Sequence, residues 1–116
     1  MIEVTLRKYL ENNLDVPVYM EHPKDPERNF ILLQIADAGR INHIDMATFF
    51  VTVYDDESFY KAAQLKEKVK DLLFNAIVLD GITKSTIGQE QAVTDSANHL
   101  YQYNLTFNFY YYREET

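Results

Sequence analysis

The chain has 116 residues, 47% of them apolar and 25% charged, with no cysteine and no tryptophan. One α/β domain over residues 1–116 is expected, since a chain of this length buries about two thirds of its unfolded surface without a disulfide or metal staple. The absent cysteine excludes thiolate metal sites and cysteine nucleophiles, and 18 acidic against 11 basic residues, a net charge of −7, argue against a surface made to neutralise phosphates.

The first segment, MIEVTLRKYLENNL, carries Glu3, Arg7, Lys8 and Glu11. These charges interrupt any apolar signal core, so no export is expected and cytoplasmic synthesis is the default. No window reaches the run of about 18 apolar residues that a membrane span needs. Ile2, Leu6, Tyr9 or Leu10, and Leu14 recur at helical spacing, which predicts a helix from Ile2 to Asn12. Asn12, Asn13 and the turn before Pro17 end it, because the residue preceding proline is pushed out of the α region. A short extended piece from Val18 to His22 follows, and then Pro23 and Pro26 enclose a charged loop that cannot continue a strand for want of backbone donors.

Phe30 to Ala36 reads as an apolar strand, with Asp37, Ala38, Gly39 and Arg40 supplying turn chemistry after it. Ile44 to Tyr54 is the next strand. Ala47, Phe49, Val51 and Val53 line one face and Ile44, Met46, Phe50 and Tyr54, with Thr48 and Thr52, the other, which predicts a central strand covered on both sides. The clearest element is SFYKAAQLKEKVKDLLFNAIV. Ala62, Leu65, Val69, Leu72 and Ala76 form one stripe with Leu73 and Ile77 beside it, while Lys61, Gln64, Lys68, Asp71 and Asn75 fall opposite. Asp55, Asp56, Glu57 and Ser58 before it offer N-caps and negative charge where the helix dipole favours it. Gly81 suits a left-handed turn after the helix. Ile82 to Ile87 and Gln89 to Val93 make a hairpin or one bent strand around Gly88. A turn over Asp95, Ser96, Ala97 and Asn98 then leads into the long final strand. The order helix, two or three strands, helix, two or three strands predicts an α+β fold: a two-layer sandwich, mostly antiparallel sheet with two helices packed on one face.

Chemistry is sparse. His22, His43 and His99 are scattered, and Glu21, His22, Asp25 and Glu27, the closest approach to a hard-cation cluster, sit in a proline-bounded loop whose charge is explained by solvation. There is no P-loop, no G-x-S-x-G and no G-x-G-x-x-G, and three glycines, Gly39, Gly81 and Gly88, cannot build a phosphate cradle. Ser58, Ser85 and Ser96 fall where caps or turns account for them. No catalytic residue, cofactor or metal ligand is expected, and the chain does not read as an enzyme.

The final strand, HLYQYNLTFNFYYYREET, separates by the period of two. Tyr101, Tyr103, Leu105, Phe107, Phe109 and Tyr111 form a core row. Leu100, Gln102, Asn104, Thr106, Asn108, Tyr110 and Tyr112 form a neutral row without the lysine or proline that usually guards an exposed strand. Thirteen residues span about 43 Å at about 3.3 Å each, more than the diameter of about 35 Å expected for a domain of this size. The strand is therefore expected either to bend at a bulge or to reach a neighbouring subunit. Tyr110, Tyr112, Arg113 and Asn108, with Arg40 and His43 from the earlier turn, form the candidate interface, tyrosine and arginine being types that interface centres favour.

Across an N-terminal helix, VPVYMEHPKDPERNFILLQI, FFVTVYDDESFYKAAQLKEKVKDLL and YQYNLTFNFYYY, the chain resembles the tail-terminator or tail-completion proteins of long-tailed bacteriophages, which cap the tail tube and join it to the head. The resemblance covers nearly the whole chain as a pattern, with Thr83 to Asn98 its least distinct part. It implies a two-layer α/β fold, a self-associated ring usually of six, tail-tube and head-connector partners, a place at the head-tail junction of the virion, and no enzymatic activity. It implies no sequence-specific nucleic acid and no membrane, and the acidic balance fits a ring around a DNA channel. The alternative is a small monomeric or dimeric α+β ligand-binding or adaptor domain whose aromatics line a pocket between sheet and helices. A third reading is an enzyme using scattered carboxylates or His22.

Overall fold

A computed structural model describes residues 2–21, 24, 29–41, 44–79, 81–95 and 100–112. In chain order these form helix α1 (Ile2–Asn13), strands β1 (Val18–Tyr19), β2 (Asn29–Ile41) and β3 (Ile44–Asp55), helix α2 (Phe59–Phe74) continued by a 3₁₀ turn (Asn75–Val78), and strands β4 (Ile82–Asp95) and β5 (Leu100–Tyr112). One five-stranded sheet runs in the order β1-β2-β3-β5-β4. β1 lies parallel to β2, and every other pairing is antiparallel. Both helices pack on one face, so the fold is the expected two-layer α+β sandwich.

The helices form where periodicity and caps agree. Ile2, Leu6 and Leu10 bury one stripe of α1. Arg7 Nε donates to the Val18 carbonyl at 3.2 Å and Tyr9 donates to the Leu72 carbonyl at 2.8 Å, which ties α1 to β1 and to the last turn of α2. In α2 the Ser58 hydroxyl accepts from Lys61 N–H at 3.1 Å, satisfying one of the donors a helix start leaves open. Ala62, Leu65, Val69 and Leu73 are buried, while Lys61, Gln64, Lys68, Asp71 and Asn75 face water. Gly81, at φ +90°, reverses the chain after the 3₁₀ turn, a backbone conformation that costs glycine nothing.

Between the layers the core is continuous. Ile31 and Leu33 of β2, Ala47, Phe49, Val51 and Val53 of β3, and Tyr103, Leu105, Phe107 and Phe109 of β5 meet the helical stripes and Ile82. The odd-numbered row of β5 is therefore core, as its periodicity requires. Phe49 and Phe109 meet edge to face at 5.8 Å, and Phe74 meets Phe107 likewise at 5.4 Å, the geometry that ring quadrupoles favour. A small second cluster on the other face joins Phe30, Leu32 and Tyr54 with Tyr19.

Three expectations are corrected. Asp37 to Arg40 do not form a turn: β2 runs through them to Ile41, paired with β3, and the register slips by one residue at Ala36. Gly39 keeps a negative φ there, so residues typical of turns are held in a strand by the ladder bonds of a long partner. Second, β3 is central but only partly covered on its second side: the helices occupy one face, and on the other Thr52 and Tyr54 are buried whereas Phe50 is 51% exposed. Third, β5 neither bends at a bulge nor overhangs. It pairs along its whole length with β3 and β4, and the chain is elongated, 48 × 23 × 23 Å, since strands of 12–14 residues fix one long axis of about 43 Å at about 3.3 Å per residue. The irregularities lie in β2 and β4 instead. Of the two options around Gly88 the single bent strand is observed, with a register shift between Ile87 and Gln89. Asp95 belongs to β4, and Ser96 to Asn98 lie outside the described residues.

Candidate assembly surface

Burying one sheet face under two helices leaves the other without a layer among the described residues. On that face β3 presents Ile44, Met46, Thr48, Phe50, Thr52 and Tyr54, and β5 presents Gln102, Asn104, Thr106, Asn108, Tyr110 and Tyr112. These two central rows carry no charge. Polar groups on them pair with one another: Thr48 donates to Asn108 Oδ1 across the strands at 2.7 Å, and Gln102 donates to Asn104 Oδ1 at 2.8 Å. Such pairs hold side chains in place without a solvated charge to strip, so the face is inexpensive to dehydrate.

Of the candidate interface residues, β5 brings Asn108, Tyr110 and Tyr112 into one row on this open face. Tyr112 is 57% exposed, while its backbone N–H donates to the Gly81 carbonyl at 2.8 Å and fixes the end of the strand against the helix exit. The Lys84 ammonium lies over the Tyr110 ring, 5.6 Å from its centroid. Arg40 is not with them. It lies in β2 opposite Asp45 on the helix side of the sheet, where its guanidinium sits 3.7 Å from the nearly enclosed Asp45 carboxylate. His43 and Arg113 lie outside the described residues, as do His22, Asp25 and Glu27 of the charged loop.

Two features escape sequence reasoning. Phe50 is the large apolar side chain most open on the β3 row, and its signal was the Phe49–Phe50 doublet, which a period of two must split between faces. The second is the pair of sheet edges. β4 is an outermost strand, and β2 beyond Leu32 has no partner on its outer side among the described residues, because β1 covers only Ile31 and Leu32. Which strand becomes an edge depends on pairing order, which local sequence does not carry.

On the helix side an ionic network ties β4 to α2. Lys66 Nζ lies 2.6 Å from Glu90 and 2.8 Å from Glu67, Lys70 lies 3.0 Å from Glu90, and the Lys66 ammonium also caps the Tyr103 ring at 4.7 Å. Partial burial would pull Lys66 down, but its hydrogen bonds to Glu67 and Glu90 outweigh it and hold the group above the usual lysine value. The hydrogen bond from Lys66 holds Glu90 below the usual carboxylate value against its own desolvation, and the same lysine lowers Glu67. Ser85 adds a hydrogen bond to the Leu73 carbonyl at 2.7 Å. These are fastenings between layers, with no group poised for proton transfer.

The space between sheet and helices, where a ligand-binding domain would keep its pocket, is filled by fully buried Leu6, Leu10, Phe49, Leu73, Phe107 and Phe109. No helix among the described residues is long and apolar enough to cross a membrane. No family model matches the chain, and no curated protein matches it. Among solved structures the chain is similar to one from the virion of a native gene transfer agent (GTA) particle, at a TM-score of 0.63 and 20% identity over 81% of this chain and 77% of that one. At that identity the likeness establishes a shared fold.

Proposed function

We propose that this chain is a structural protein of a phage-like virion, a tail-terminator or tail-completion subunit that self-associates into a ring, closes the tail tube and joins it to the head. The observation that carries it is the fold shared with a virion chain. The two uncharged central rows of that sheet face support it, since single-domain monomers seldom leave such rows to water. Asn108, Tyr110 and Tyr112 at one end of that face, with Phe50 nearer its middle, are the contacts proposed for the tail tube or head connector. The filled interior leaves no role for a ligand pocket in this reading, and the work done is mechanical, not catalytic.

Native mass spectrometry of the purified chain, with negative-stain imaging alone and in the presence of tail tubes, tests the proposal. Integer multiples of the chain mass and rings seated on tube ends are expected. A strictly monomeric protein that binds neither tubes nor connectors overturns it.

A further inference from the structure

We infer that the subunits of this ring join edge to edge, the free outer edge of β2 in one copy pairing antiparallel with β4 of the next, so that the sheet continues across the boundary. The inference rests on the ring reading above and names the surfaces that make it.

Three reversals separate the edges. β2 opposes β3, β3 opposes β5 and β5 opposes β4, so β2 and β4 run in opposite senses. A second copy set beside the first in the same orientation therefore brings β4 against β2 as an antiparallel pair, with helices on the same side. The contact is head to tail, and such a contact closes only as a ring or runs on as a filament.

The residue levels agree with this. Ile35 lies opposite Phe49, Phe49 opposite Phe107, and Phe107 opposite Ile87, so Ile35 and Ile87 sit at one height on the two edges and on the same face. Ile35 is 45% exposed although it points to the helix side, because no helix among the described residues of its own chain covers it. A neighbour's Ile87 supplies the missing apolar contact. By the same count Lys84 falls level with Gly39 and diagonal to Asp37 on the open face, a charge pair of the kind that supports cross-strand register.

Below this zone β1 occupies the outer side of β2 at Ile31 and Leu32, level with Ala92 and Gln91 of β4. A straight β4 would collide with it. The register of β4 slips between Ile87 and Gln89, just beyond the second residue level above that obstruction, and a bulge of this kind bends its strand. The pairing zone is thus Leu33 to Ile41 against Ile82 to Glu90. Neither stretch contains proline and together they hold one lysine, two of the residue types that guard edges meant to stay free.

Cysteine cross-linking tests the joint, and the chain has no native cysteine to interfere. Within one chain positions 35 and 87 are three strand spacings apart, about 14 Å, beyond the roughly 7 Å between Cα atoms that a disulfide tolerates. The full-length Ile35→Cys and Ile87→Cys variants are oxidised separately and after mixing. Mixing is expected to give a covalent dimer about tenfold more abundant than either variant gives alone, since only a paired edge raises the local thiol concentration. A homodimer from one variant alone means a two-fold edge contact and overturns the inference. Oligomers in native mass spectra without a mixed disulfide also overturn it while leaving the ring reading standing, and a monomer throughout removes both.

Because Ile87 also touches the core, an exchange of exposed charges gives a second readout. Asp37→Lys is expected to lower the assembled fraction several-fold, and Asp37→Lys with Lys84→Asp to restore it. An unchanged oligomer in both counts against the joint.

Discussion

At the scale of single residues, the molecule depends on a few fastenings between elements. The Ser58 cap holds the first turn of α2, and Ser58→Ala is expected to lower stability by about 1 kcal/mol, measured as a shift in urea midpoint at unchanged slope. The Lys66–Glu90–Lys70 network is partly solvated, so Glu90→Gln is expected to cost less than about 1 kcal/mol at neutral pH. Its pH dependence has a definite sign. Glu90 and Glu67 titrate below their ordinary values, so their contribution is fully present above the unfolded carboxylate range and is lost as pH falls through the lowered folded values. Lys66 titrates above its ordinary value, so its contribution holds below the unfolded lysine range and is lost only as pH rises through the raised one. The wild-type chain should therefore lose stability as pH falls from the ordinary carboxylate range through the lowered folded values. Glu90→Gln should flatten that loss, and urea titrations of both proteins across this window would show it.

At the scale of elements, β5 is the keystone, paired on both sides and buried along its odd row. Phe107 is fully buried between Phe74 and Phe109, and Phe107→Ala should cost about 3–5 kcal/mol, a large part of the roughly 5–15 kcal/mol that holds a domain of this size together. Phe50, one strand away on the open face, should behave oppositely. Phe50→Ser is expected to change the stability of the isolated chain, read from urea unfolding, by no more than about 0.5 kcal/mol, yet to reduce binding to tail tubes in a pull-down. An equal loss of both would mean that the open face serves the fold and not a partner. This contrast was only half legible beforehand. Alternation in YQYNLTFNFYYY separated core from open row in β5 correctly, but the same alternation in β3 carries apolar residues on both rows. Phe50 was therefore indistinguishable from a second buried layer until the helices were seen to occupy one side.

At the scale of the whole molecule, four long strands make an elongated body in which β4, and β2 beyond Leu32, have no outer partner among the described residues. Amide hydrogen exchange should report this directly. In dilute monomer the outward amides of β4 and of residues 33–41 should exchange early, and β3 and the middle of β5 only with global unfolding. On assembly, protection should appear on both edges together, and protection confined to one of them would contradict the proposed joint. The overall shape is also where the compact-sphere expectation failed. A radius of gyration of 14.4 Å is close to the expected value, but it is distributed as one long axis and two short ones, so a strand of 13 residues fits without overhang.

The sequence by itself determined the helices, the inward row of β5 and the two-layer class, because periodicity, caps and the Gly81 turn are local properties of the chain. It also restricted the chemistry, through missing cysteines, few glycines and dispersed histidines. Only the tertiary structure decided that β2 runs through Asp37 to Arg40, that β5 lies inside the sheet while β4 and β2 lie at its margins, and that Arg40 faces away from Asn108, Tyr110 and Tyr112. Strand order and bulge position arise from pairings between residues tens of positions apart, and no local pattern encodes which of several similar strands will meet.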